Sequence, residues 1–139
     1  MAANQYNGEI DMELDGKVYP MKINMGVIGR FQSETGNDYM HVAMKAINAL
    51  RKAGAESPLD QAEIMTAAVS MTDAAWLFFL AAKEVDKTVT FDEMQEAVLK
   101  EGPLMMVGDT GSVIQSYPVL FANLVMFSTL GAMDIAKKP

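Results

Sequence analysis

The segment Ala74-Ala75-Trp76-Leu77-Phe78-Phe79-Leu80-Ala81-Ala82 contains only apolar and aromatic residues. Wound at 3.6 residues per turn, it is apolar on every side. A helix of that kind is stable in water only when other elements cover all of its faces. The segment therefore predicts a helix over Asp73–Glu84 at the centre of a core. The chain has 139 residues, enough for one domain to bury such a helix. Half of those residues are hydrophobic, which argues against a disordered chain.

The elements around that helix are legible from local chemistry. Residues 8–24 predict a β-hairpin. Ile10, Met12 and Leu14 alternate with Glu9, Asp11 and Glu13, the period of a half-buried strand. Asp15-Gly16 is a two-residue hairpin turn signal, because both central positions want φ > 0. The return strand, Lys17 to Asn24, has an imperfect pattern through Val18, Pro20, Met21 and Ile23. Pro20 cannot donate to a ladder, so it predicts an edge strand or a bulge. A lone hairpin is marginal and must pack on helices or on another copy's hairpin.

The remainder predicts helices. Asn24 caps one carrying Val27, Ile28 and Phe31 and ended by Gly36. A second, from Asp38 to Ala53, has an apolar stripe through Met40, Ala43, Ile47 and Leu50, with Gly54 as its stop. Ser57-Pro58 opens a third, carrying Ala62, Met65 and Val69, which Ser70 to Thr72 either break or cap. Thr90 and Glu93 form a capping box before a helix from Phe91 to Lys100, ended by Gly102-Pro103. Its apolar side is Phe91, Met94, Ala97 and Val98. Met105 to Ser112 reads as loop, Pro118 opens a last helix to about Leu130, and Ala136 to Pro139 is a basic tail. The expected fold class is α+β, mainly α. A hairpin (8–24) packs on about five helices in a single domain (1–139), with a helical core (25–101) and a C-terminal loop and apolar helix (103–139).

Composition argues against most chemistry. The 18 acids against 11 Lys and Arg oppose nucleic-acid binding, which needs clustered cations. With no Cys there is no disulfide, cysteine zinc site or thiol nucleophile. One histidine, His41, leaves no multi-histidine metal site and little for a Ser-His-Asp arrangement. Glu9, Asp11 and Glu13 read as a solvated strand face, and Asp92, Glu93 and Glu96 as acids suited to a helix N-terminus. Gly108-Asp109-Thr110-Gly111 matches the local pattern of aspartic proteases, but that chemistry needs two such carboxylates and no second copy exists. Gly26 to Gly29 is too short for a phosphate loop. The reading is a non-enzyme with no catalytic residue, cofactor or metal.

Thr110 to Met133 contains no charged residue, but Pro118, Asn123, Ser128, Thr129 and Gly131 interrupt it. It is read as a buried helix rather than a membrane span. Met1 to Gly8 is polar and does not resemble a secretory signal. Of the 13 Met residues, nine (Met40, Met44, Met65, Met71, Met94, Met105, Met106, Met126 and Met133) are spread along the helical part of the chain. They fit either gap-filling in a core or a plastic surface that grips a partner. With the over-apolar last helix, they favour a binding or assembly protein. The contact candidates are Trp76, Phe79, Leu120, Leu124 and Phe127.

Three pieces of the chain resemble the tail assembly chaperones of long-tailed bacteriophages and prophages. The opening from Gly8 to Asn24, with Asp15-Gly16-Lys17-Val18-Tyr19, is similar to that family's strand, turn and return strand. Met25-Gly26-Val27-Ile28-Gly29-Arg30-Phe31-Gln32 to Gly36 is similar to its first helix. Trp76 to Ala82, followed by Thr88-Val89-Thr90-Phe91-Asp92-Glu93, is similar to its apolar helix and the helix start after it. The resemblance covers residues 8–100, and the chain departs from the pattern from Pro103. It implies a non-enzymatic protein of the host cytoplasm, absent from the mature virion. Such a protein binds the tape-measure protein, recruits tail tube protein subunits and self-associates, with no nucleic acid or membrane involved. Many members are also made in a longer form by a −1 ribosomal slip, and Lys137-Lys138 fits an adenine-rich slippery site. The alternatives are a structural tail component that stays in the virion and a small self-assembling membrane-associated protein.

Overall fold

The computed structural model describes residues 8–54, 56–102, 106–107, 112–113 and 116–137. In chain order they form β1 (Glu9–Leu14), β2 (Lys17–Lys22), α1 (Met25–Thr35), α2 (Tyr39–Ala53), α3 (Pro58–Ala68), α4 (Met71–Val85), α5 (Phe91–Glu101), β3 (Met106–Val107), β4 (Ser112–Val113) and α6 (Tyr117–Lys137). The fold is α+β, mainly α, with an N-terminal antiparallel hairpin, as the sequence predicts.

The hairpin forms around its turn. Asp15 (φ 52°) and Gly16 (φ 79°) both take the positive φ that a type I′ connection requires. Pairing runs without a bulge from Leu14–Lys17 to Glu9–Lys22. Counted outward from a two-residue turn, the Asp11–Pro20 pair falls at a non-hydrogen-bonded position. The nitrogen of Pro20 therefore points to the outer edge, where no ladder bond is lost. Ile10, Met12 and Leu14 face inward as expected. On β2 the inward residues are Tyr19 and Met21, while Val18 is half-exposed and points out. The expected Val18 phase fails because alternation is fixed by the partner strand, and Val18 opposes the outward Glu13.

Each helix from α1 to α5 starts at a residue of extended backbone, and all but α2 have a side-chain cap. Asn24 Oδ1 accepts from the Val27 N–H (2.9 Å), Ser70 Oγ from Asp73 (3.1 Å) and Thr90 Oγ1 from Glu93 (3.1 Å). Ser70 is thus a true break, and α3 and α4 meet at a bend of 72°. Three expectations need correction. The buried face of α2 is Tyr39, Val42, Ala43, Ala46, Ala49 and Ala53; of the expected stripe, Ala43 is buried and Ile47 and Leu50 are half-buried against the core, so only Met40 departs. Met40 is exposed, because the small alanines rather than the larger residues meet the neighbouring helices. Within the stretch read as loop, β3 and β4 pair antiparallel. The last helix extends past Leu130 to Lys137, since no proline follows Leu130 within it. Gly108-Asp109-Thr110-Gly111 and most of Met1–Gly8 lie outside the described residues, as do Lys138 and Pro139.

α4 lies at the centre, packed by α5, β2, α1 and α6. Ala74, Ala75 and Leu77 to Ala82 are buried. Phe78 meets Phe121 of α6 edge-to-face at 6.2 Å. α6 folds back on its own chain, packing against α2, α4, β1 and α3. The Tyr117 hydroxyl donates to the Val69 carbonyl at 3.0 Å.

The hairpin is also clamped to α5. Lys17 Nζ (2.8 Å) and the Tyr19 hydroxyl (2.9 Å) both donate to Glu93 Oε2. The Thr90 backbone N–H adds to the same carboxylate, so the predicted capping box closes. These donors, Lys17 first, hold Glu93 below the usual carboxylate range. Burial, then the bond to Glu93, pushes the Tyr19 hydroxyl up to about 12. At the other end of α5, Glu101 is buried and accepts from the Asp15 N–H at 3.4 Å. Burial, then the charges of Asp15 and Glu13, pushes its carboxyl up.

Two predictions follow from this packing. Phe78→Ala lowers stability by about 3–5 kcal/mol in denaturant unfolding, because the central cavity has no neighbour free to collapse into it. The two carboxylates of α5 oppose each other in pH. The depressed Glu93 stabilises at neutral pH and loses that contribution as pH falls through its folded-state pKa. The raised Glu101 stabilises only in its protonated form, a contribution lost as pH rises through its folded-state pKa. Glu101→Gln therefore raises the melting temperature at neutral pH and leaves it nearly unchanged near about pH 3, where the wild-type carboxyl is itself protonated. Thermal melts across that range check both signs.

Candidate partner-binding surface

The five sequence-predicted contact residues divide by burial. Leu124 is fully buried, and Leu120 and Phe79 nearly so. Leu120 and Leu124 hold α6 in the core of this chain and are not open to a partner in this conformation. Their spacing marks an apolar helix face, and such a face reads the same whether the chain itself or a second molecule covers it. Phe127 is half-buried. Trp76 is half-buried, stacked on Phe91 at 4.2 Å and edge-on to Phe79 at 6.1 Å. Lys83 lies over the Phe79 ring at 5.3 Å. Trp76, Phe79 and Phe91 thus form one aromatic cluster at the α4–α5 seam, while the α6 candidates lie elsewhere.

Beside that cluster runs a groove of about 440 Å³ between the start of α4 and the outer side of α5. Met71, Ala75, Phe91, Val98 and Leu99 supply its apolar wall. Asp92 and Glu96 stand on the same groove as acids. Leu99 is 66 % exposed and Met71 37 %, so the apolar wall reaches solvent. Met71 is among the methionines that the sequence marks as fitting a plastic surface; Leu99 is not signalled by sequence. Leu99 lies one position past the Met94–Ala97–Val98 core face, where an apolar residue has no packing duty.

A second apolar feature is convex. Met40 and Met44 of α2 are 55 % and 47 % exposed. On an α-helix Met40, Met44 and Arg51 fall within about 40° of one another. Arg51 Nη2 donates to Asn48 Oδ1 at 3.1 Å, while Lys45, Asn48 and Lys52 line a separate hollow of about 300 Å³ against Ile64, Ala67 and Ala68 of α3. Of these, Met40 alone is expected inward from the sequence, and it points out.

Other hollows are smaller. One of about 150 Å³ lies among α2, α3 and α6, lined by Leu50, Ala53, Met65 and Val119. Another, of about 180 Å³ at the start of α1, places Arg30, Lys83 and Lys87 around Glu84, which accepts from Asn24 Nδ2 at 2.7 Å. Among the described residues, no three or more His, Cys, Asp or Glu are grouped to hold a metal ion. Among them, too, no single helix is long and apolar enough to cross a membrane. The bent pair α3 and α4 passes that test by length and composition alone, and most of α4 is covered by its own chain. Searches of protein-family models, curated proteins and solved structures find no match to this chain.

Proposed function

We propose that this chain is a tail assembly chaperone of a long-tailed bacteriophage or prophage. In that role it binds the tape-measure protein and recruits tail tube protein subunits in the host cytoplasm, without entering the mature virion. The reading rests on the resemblance over residues 8–100. The observation that supports it is the placement of unbranched, adaptable side chains outside a completed core: Met25, Met40, Met44 and Met71 are all exposed. Thioether side chains re-pack against varied apolar surfaces at little cost, which suits a protein that must cover a long apolar helix at many points. The chemistry is binding, not catalysis.

Co-expression with the long helical protein encoded just downstream tests the proposal. The expected outcome is a soluble, multi-copy complex, with this chain absent from purified particles. A free chain eluting at 15.2 kDa beside an insoluble partner overturns it. Retention of the chain in purified particles assigns it instead to the tail structure.

A further inference from the structure

The hollow of about 150 Å³ where α2, α3 and the first turn of α6 meet combines an apolar wall with a buried hydroxyl. Ala53 and Met65 form the buried part of that wall, and Ala62 and Val119 are half-buried beside them. None of the lining residues is charged, and the polar side chains among them are Gln61 and Ser116. Gln61 is half-buried and held in place: its Nε2 donates to the Glu56 carbonyl at 2.9 Å, which leaves the amide oxygen to accept.

Ser116 is the decisive residue. Its carbonyl accepts from the Leu120 N–H at 3.0 Å, so it stands at the cap position of α6. It is 1 % exposed, yet among the described residues its hydroxyl makes no hydrogen bond, to the helix or to anything else. Every described side-chain oxygen that is sealed from solvent does have a partner. The Ser116 hydroxyl is therefore not sealed, and the open space it lines is this hollow. Water serves it poorly there. An ordered water wants about three polar partners, and this wall is mostly apolar.

Cavities of about 150 Å³ with apolar walls admit a ring the size of benzene. We propose that the hollow binds a compact neutral molecule, one apolar ring carrying a hydroxyl group. The ring lies against Ala53, Met65 and Val119, and its hydroxyl bonds to that of Ser116. The ligand is neutral because a desolvated ion finds no counter-charge on this wall. It touches α2, α3 and α6 at once, so binding fastens α6 to the two helices beneath it and stabilises the folded chain by mass action. The site stands apart from the chaperone reading and does not require it, since the chain is tested alone.

The experiment is a methyl NMR titration of the full chain with phenol, and with toluene, which has the same outline but no hydroxyl. Phenol is expected to bind saturably, to shift the methyl resonances of Met65 and Val119, and to raise the melting temperature as its concentration rises. Ser116→Ala should weaken phenol by about two- to tenfold, the net worth of one hydrogen bond, and should not weaken toluene. Ala62→Leu fills the hollow from α3 and should abolish binding of both, with circular dichroism to check that the variant folds. The wild-type shifts locate the ligand without any variant. Phenol that fails to saturate, or that moves other methyls and leaves Met65 and Val119 still, overturns the proposal. So does binding that survives Ala62→Leu in a folded chain, and so does a Ser116→Ala change that weakens phenol and toluene alike.

Discussion

The burial of α4 on all sides is the constraint on which the other elements depend. A helix with no polar face cannot rest at a surface, so its neighbours are arranged to surround it. α1, α5 and α6 cover it laterally, and β2 closes the remaining side with Tyr19 and Met21. The hairpin gains its stability the same way. Two strands alone are marginal, and these two are held by burial of Leu14 and Met21 and by the polar clamp to Glu93. Removing any of these layers exposes part of α4.

The legible parts of the sequence were those decided by local chemistry. Asp15-Gly16, the Asn24, Ser57 and Thr90 caps and the all-apolar α4 each act within a few residues, and each appears where the residues place it. What the sequence hid was decided at a distance. The phase of α2 turns on alanine. Counting large apolar residues picks Met40, which is exposed, and overlooks Ala46, Ala49 and Ala53, which are buried; Ala43, Ile47 and Leu50 lie in or against the core as expected. On β2 the choice between Val18 and Tyr19 is made by β1, not by β-propensity. Two-residue strands such as β3 and β4 are too short for any period to show. The α6 contact candidates show the same dependence on distant partners. Apolarity marked Leu120 and Leu124 correctly as residues needing cover, and their own chain supplies it.

α5 carries two carboxylates with opposite consequences. Glu93, in the first turn, lies near the positive end of the helix dipole and gathers three donors. Glu101, in the last turn, lies near the negative end, is buried, and faces the acids Asp15 and Glu13. The first ties the hairpin to α5 at neutral pH. The second also joins the hairpin to α5, accepting from the Asp15 N–H, while burial and the charges of Asp15 and Glu13 disfavour its ionised form.

Methionine usage separates core from surface. Met12, Met21, Met65 and Met94 are buried, where a flexible side chain fills the irregular spaces around α4. Met25, Met40, Met44 and Met71 are exposed, where gap-filling explains nothing. The two readings of a Met-rich chain therefore hold for different residues. Exposed leucine or phenylalanine would be as apolar, but stiffer and committed to one partner shape. An exposed thioether conforms to whatever helix meets it, and its lost rotamer freedom keeps each contact weak. Met40 and Met44 on α2 and Met71 beside the α4–α5 groove place such side chains on separate faces of the molecule.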